Sequence, residues 1–145
     1  MTTRPTSVSS ALQLRLVVPG AASLPVRADL DYDASDPYAI SVSFHTGPGS
    51  GEVVRWTFAR QLLADGVALR AGEGDVKVWP SSSDTGAVVG LSLSSPSGRA
   101  LFEVPLGDVL EFLGRTYEAV PPGGESSHMD VDADLALLRW AEPEI

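Results

Sequence analysis

The sequence predicts an α+β fold: about seven antiparallel strands, with helices after the fourth and the seventh. Two stretches carry that prediction, because they follow the same order. Residues 38–66 (YAISVSFHTGPGSGEVVRWTFARQLLADG) give an alternating strand, a Gly/Pro/Ser turn, a second strand and a short amphipathic helix. Residues 87–115 (AVVGLSLSSPSGRALFEVPLGDVLEFLGR) give that order again. Each unit closes on apolar residues at helical spacing, Leu62 and Leu63 in one, Val109, Leu110 and Leu113 in the other. A ββα unit has one apolar sheet face and cannot bury it alone. The expected architecture is therefore a duplicated antiparallel sheet-plus-helix unit, curled toward a barrel, with an extra C-terminal helix.

Each element has a local reason. Leu12, Leu14, Leu16 and Val18 alternate with polar or neutral neighbours, which argues for a half-buried first strand ended by Pro19 and Gly20. Leu24, Val26, Ala28, Leu30 and Tyr32 alternate in the second, with Arg27, Asp29, Asp31 and Asp33 on its wet face. The third strand is expected over 38–46 and the fourth over 52–58, joined by a glycine-rich turn at 47–51. Trp56 falls on the inner face. The first helix is expected over 59–65, with Gly66 at the left-handed position that ends helices. A loop or irregular strand at 67–74 leads to a fifth strand over 75–79, stopped by Pro80 and the polar run 81–86. Strands six and seven are expected over 87–94 and 99–104.

Pro105 suits the first turn of the second helix, whose apolar face reads Leu106, Val109, Leu110, Leu113 and Tyr117 as far as about Ala119. Pro121, Pro122, Gly123 and Gly124 then force a break. A last helix is expected over 131–140, with Asp130, Asp132 and Asp134 near its positive end and a stripe of Val131, Leu135 and Leu138. The expected organisation is a flexible arm at 1–9, one domain over 10–140 and a frayed end at 141–145.

Composition narrows the class. A 145-residue chain that is 43% hydrophobic can build one real core without staples. Without cysteine there is no disulfide, thiolate metal site or cysteine nucleophile. No run is long and apolar enough to span a bilayer, and the first residues, MTTRPTSVSS, lack the apolar centre of a secretory signal. A cytoplasmic protein is expected. Nineteen acids against ten Lys and Arg leave a net charge of −9, and the basic residues are scattered singly. That disfavours nucleic acid and anionic membranes, both of which reward clustered cations.

No catalytic, cofactor or metal site is read from the residues. His45 and His128 have no nucleophile elbow near them and read as solvated surface groups. Asp29, Asp31 and Asp33 resemble the opening of a calcium loop, but Ala34 replaces the turn glycine and Ile40 the bidentate Glu. The glycine-rich run at 47–51 joins two strands and has no following Gly-Lys-Ser/Thr, so it is a hairpin turn and not a phosphate loop. Trp79 and Trp140 sit at element ends. They are core residues or interface anchors, and with Leu135 and Leu138 they form the candidate interface set.

Taken together, the chain resembles the SsgA-like proteins, small regulators of cell division and sporulation in spore-forming actinomycetes, with SsgB-type members nearest. The similarity rests on LRLVVP (14–19), LPVRADLDYDASDPYAISVSFHTG (24–47), VVRWTFARQLLADG (53–66), GDVKVWP (74–80), LSSPSGRALFEVP (93–105) and FLGRTYEAVPPGGE (112–125). Asp36-Pro37-Tyr38, Trp56 with Phe58-Ala59-Arg60, and Val78-Trp79-Pro80 weigh most. The resemblance implies a non-catalytic protein that helps place the division septum, partnered by the tubulin-like protein FtsZ or by another SsgA-like protein. It also implies a fold like that of the single-strand-binding Whirly proteins, assembled as a homotrimer. The competing reading is a single-stranded nucleic-acid binder that keeps the Whirly-type function, against which the −9 charge argues. A hydrolase is a distant third, requiring His45 or His128 to meet a serine and a carboxylate in one pocket.

Overall fold

A computed structural model describes residues 6–45 and 53–127. The elements run β1 (Ser7–Leu16), β2 (Leu24–Asp33), β3 (Ala39–His45), β4 (Val53–Ala59), α1 (Arg60–Ala68), β5 (Val76–Ser83), β6 (Gly86–Ser95), β7 (Gly98–Pro105) and α2 (Leu106–Ala119), then a single 3-10 turn at Glu125–Ser127. All strand pairs are antiparallel, in one seven-stranded sheet of order β4-β3-β2-β1-β7-β6-β5. Seven strands with helices after the fourth and the seventh is the expected α+β order. Among the described residues no ladder joins β4 to β5, so the sheet keeps two edges.

The sheet is strongly bent. Phe44 of β3 stacks on Phe102 of β7 with ring centroids 4.5 Å apart, although β2 and β1 lie between those strands. The core fills the inside of the bend. Period-2 alternation supplies it with Leu14, Leu30, Ile40, Val42, Val78, Val89 and Leu91. Helix α2 adds Val109, Phe112, Leu113 and Thr116. Each helix packs on the strand that opens the other half of the chain, α1 on β5 and α2 back on β1.

Several boundaries differ from the sequence expectation, each for a physical reason. Strand β1 starts at Ser7, inside the stretch expected as a flexible arm, because Ser7 to Leu16 pair residue by residue with Asp33 to Leu24 and bury Val8. Strand β5 runs through Pro80 instead of stopping there. It is an edge strand, where a missing N–H costs no ladder bond. Helix α1 runs past Gly66, which is buried inside the helix, and the chain turns extended at Leu69. Pro105 lies one residue before α2 instead of in its first turn. Leu110 is 48% exposed, so the apolar face of α2 runs through Phe112 and Thr116 instead. The turn at 47–51 and the helix expected over 131–140 lie outside the described residues.

Candidate functional site

The most constrained polar cluster centres on Arg60, the first residue of α1. Its side chain is 2% exposed. Strand β4 delivers it there: Phe58 faces the core, and the Arg60 N–H donates to the Tyr38 carbonyl at 2.7 Å as the chain turns into the helix. Arg60 Nη1 donates to the carbonyls of Thr116 (3.2 Å) and Val120 (2.8 Å), and weakly to Thr116 Oγ1 (3.4 Å). Arg60 Nη2 donates to Glu125 Oε2 at 2.9 Å. The rings of Tyr32 and Tyr117 both lie with centroids 4.9 Å from the guanidinium carbon. The Tyr32 hydroxyl donates to the Pro37 carbonyl at 2.9 Å.

This cluster suits a planar cation. The end of a helix leaves carbonyls without intrahelical donors and concentrates partial negative charge, and the fork of an arginine satisfies both needs. One side chain thereby ties β2, α1, the end of α2 and the loop that leaves it. No side-chain nitrogen or oxygen buried among the described residues lacks a partner. The cluster is a clamp, its hydrogen bonds and ring contacts running between elements.

Its electrostatics set a pH dependence. The hydrogen bond from Arg60 is the largest of the causes that hold Glu125 below its ordinary value of 4.5, with burial opposing it. Asp33 is likewise held below 3.8, chiefly by the backbone N–H of Ser35 and then by its hydroxyl. A carboxyl lowered on folding stabilises the fold above its unfolded value, and that contribution is lost as pH falls through the folded one. Thermal stability is therefore expected to decline as pH drops below 4.5. Glu125→Gln should give a shallower decline, read from melting temperatures across an acid titration. An unchanged slope in that variant would show that the ion pair does not carry the effect.

Trp79, the one residue of the expected interface set that the structure describes, is half-buried on the outer face of β5. It lies over Gly90 of β6, where a Cβ would come within 2.3 Å of the indole, and Arg70 stacks on it at 5.2 Å. A hollow of about 130 Å³ runs beside it, bounded by Val17, Ser81, Leu101 and Glu103. Trp140, Leu135 and Leu138 lie outside the described residues, as does His128.

His45 stands on the outer sheet face, Nε2 2.8 Å from Asp29 Oδ2, with both side chains about 40% exposed. Asp31 accepts from Ser9, and Asp33 from Ser35. These acids line the wet face of β2, each with its own neighbour. Arg15, Arg27, Arg55, Lys77 and Arg99 share that outer face with Asp29, Asp31, Asp33 and Glu103, so its charge is mixed. A second hollow, about 350 Å³ and mostly apolar, opens between β3 and β4 on one side and the β6–β7 hairpin on the other.

Sequence reasoning missed the Arg60 cluster. An arginine at a helix start reads as a surface residue, and its partners lie 56 to 65 positions away. Arg60 did stand among the residues that carry the family resemblance.

Comparison with known proteins covers nearly all of this geometry. The family model described as "Streptomyces sporulation and cell division protein, SsgA" matches residues 26–125. The chain is 60% identical to the sporulation-specific cell division protein SsgB of Frankia casuarinae, over 99% of both chains. It is 53% identical to SsgB of Streptomyces coelicolor, over 92% of this chain and 96% of that one. A solved structure from work on SsgB mutations and longitudinal cell division in Streptomyces coelicolor superposes with a TM-score of 0.82 at 51% identity, covering 89% of this chain and all of the other. The SsgA-like sporulation-specific cell division protein of Thermobifida fusca gives 0.82 at 46% identity, covering 94% and 98%.

Proposed function

The chain belongs to the SsgA family of sporulation and cell division proteins, and on that premise we propose that it is a non-catalytic adaptor for sporulation-specific division, helping to bring FtsZ to future septum sites. The observation that carries the reading is the 60% identity to an SsgB that spans 99% of both chains, which leaves no room for a different domain within the stretch compared. The site supports it. Its buried cation, Arg60, is used up in holding elements together. The bent sheet with a helix after each half is the basis for a Whirly-type, barrel-like kinship, and a homotrimer is the assembly that goes with it. The mixed charge of the outer face favours a protein partner over a single-stranded nucleic acid, which needs a basic groove. Among the described residues no helix is long and apolar enough to cross a membrane. The adaptor reading assigns septal localisation to recruitment by a partner.

The test is localisation of a tagged copy in sporulating filaments, with co-sedimentation of the purified protein with FtsZ, directly or through a second SsgA-like protein. Septal signal and co-sedimentation that is only weakly reduced by salt are expected, because two acidic partners must meet through apolar contacts. Absence of both overturns the reading. Light scattering of the same preparation should give about three times the 15.2 kDa chain mass, and a well-behaved monomer would remove the trimer while leaving the adaptor intact.

A further inference from the structure

We propose that the free edge of β4 binds an extended segment of a partner protein whose apolar side chains alternate with acidic ones, added to the sheet as a further strand. The inference rests on the adaptor reading for its use in the cell. Its physical basis is the asymmetry between the two sheet edges.

An edge strand exposes unpaired backbone donors and acceptors, and natural edges are blunted by proline, lysine, bulges or covering chain. Edge β5 has three such guards. Pro80 lies within it, Lys77 projects from it, and Ala71 covers it through two backbone hydrogen bonds with Val78, at 2.8 and 3.0 Å. Among the described residues edge β4 carries one charged side chain, Arg55, and neither a proline nor a covering chain. Its sequence, VVRWTFA, contains neither proline nor lysine, and its register with β3 is unbroken from Val53 to Ala59, so no bulge twists it away. Val53 and Val54 are 49% and 47% exposed.

The hollow beside that edge supplies side-chain specificity. It holds about 350 Å³, floored by the stacked Phe44 and Phe102 and walled by Val54, Trp56, Leu93 and Ala100. Period 2 fixes what a neighbouring strand must present. Side chains beside Val54 and Trp56 point into the hollow and should be apolar. The intervening position lies beside Arg55, on the other face, and should be acidic. Arg55 and the exposed Arg99 at the lip of the hollow make no ion pair among the described residues. Arg99 lies at the lip of the apolar hollow, and Arg55 lies on the opposite face beside a polar hollow that it lines with Asp31, Asp33 and Asp36. An acidic side chain placed next to either cation on the added strand gains a local ion pair against the overall charge of −9.

Fluorescence anisotropy with the full chain tests this, using labelled peptides of about seven residues, a common strand length. One probe alternates valine with glutamate, a second alternates valine with lysine, and a third has the composition of the first with its valines and glutamates in separate blocks. The alternating acidic probe should bind saturably and slow amide exchange along β4. Val54→Lys should weaken it by about tenfold or more, and Arg55→Glu should shift the preference to the lysine probe. Both substitutions fall on exposed positions, and circular dichroism checks their folding. No saturable binding, or equal binding of the blocked probe, overturns the proposal. If the probes fail while Val54→Lys lowers the assembly mass, the edge pairs with a second copy of this chain and the proposal is wrong. The readout is the edge itself, so failure here leaves septal localisation to judge the adaptor reading separately.

Discussion

Arg60→Ala is expected to lower unfolding stability by about 3 kcal/mol, the low end of the range for breaking a buried ion pair, because Arg60 is buried while Glu125 keeps some contact with water. Three losses combine. The Val120 carbonyl loses its 2.8 Å donor at the end of α2, and Glu125 loses its counter-charge. Tyr32 and Tyr117 are left facing a void where the guanidinium lay between them. Arg60→Lys keeps the charge but not the fork. An ammonium cannot reach two carbonyls and a carboxylate while presenting a flat face to two rings, so most of the loss should remain. Glu125→Ala should cost less, because Arg60 keeps its carbonyl acceptors and both rings. A chemical denaturation series over these variants separates the contributions, and a double-mutant cycle gives the pair's coupling. A loss below about 1 kcal/mol for Arg60→Ala, the value of a surface ion pair, would mean that the clamp is not closed in solution.

Sequence reasoning reached the parts of this molecule that local periodicity controls. Strands β2 and β3 were legible through their alternation of apolar and polar residues, β6 through Val89, Leu91 and Leu93, and β7 through the turn signal that precedes its apolar residues. Helix α2 was legible through its 3.6-residue spacing, although Leu110 took the wet side. The misreadings share a cause, since each needed a neighbour from far along the chain. Pro80 reads as a stop until β5 is known to be an edge. Residues 7–9 look like a loose arm until Asp33 and Asp31 of β2 are placed opposite Ser7 and Ser9. Arg60 looks like a solvated helix start until the carbonyls of α2 close over it. The asymmetry of the sheet edges was invisible for the same reason, because strand order is a property of the folded sheet. The family resemblance, by contrast, needed no topology. Blocks such as VVRWTFARQLLADG contain residues whose purpose only the fold reveals, Arg60 and Gly66 among them.

Gly66 gives the second large effect, and a sharp contrast with Gly114. Both lie inside helices, where glycine costs about 1 kcal/mol relative to alanine through backbone entropy, so propensity alone predicts that Gly→Ala stabilises at either site. Their surroundings decide otherwise. At Gly114 of α2 a Cβ meets nothing within 4 Å, and Gly114→Ala should raise stability by about 0.5–1 kcal/mol. At Gly66 a Cβ would lie 2.2 Å from Val78 Cγ1, 2.5 Å from Val78 Cβ and 3.0 Å from the Val78 carbonyl carbon. Val78 is fully buried in β5. A rotamer change can move Cγ1, but Cβ and the backbone cannot move without shifting the strand. Overpacking of that kind costs roughly 1–3 kcal/mol or more, which exceeds the helix gain. Gly66→Ala should therefore be clearly destabilising, and Gly66→Val more so. Because α1 reaches the sheet mainly through β5, the shift should also loosen the start of the helix, where Arg60 sits. Melting temperatures of the two alanine variants should move in opposite directions. If Gly66→Ala rises with Gly114→Ala, helix α1 does not rest on Val78 at this distance, and the close approach described between α1 and β5 is wrong.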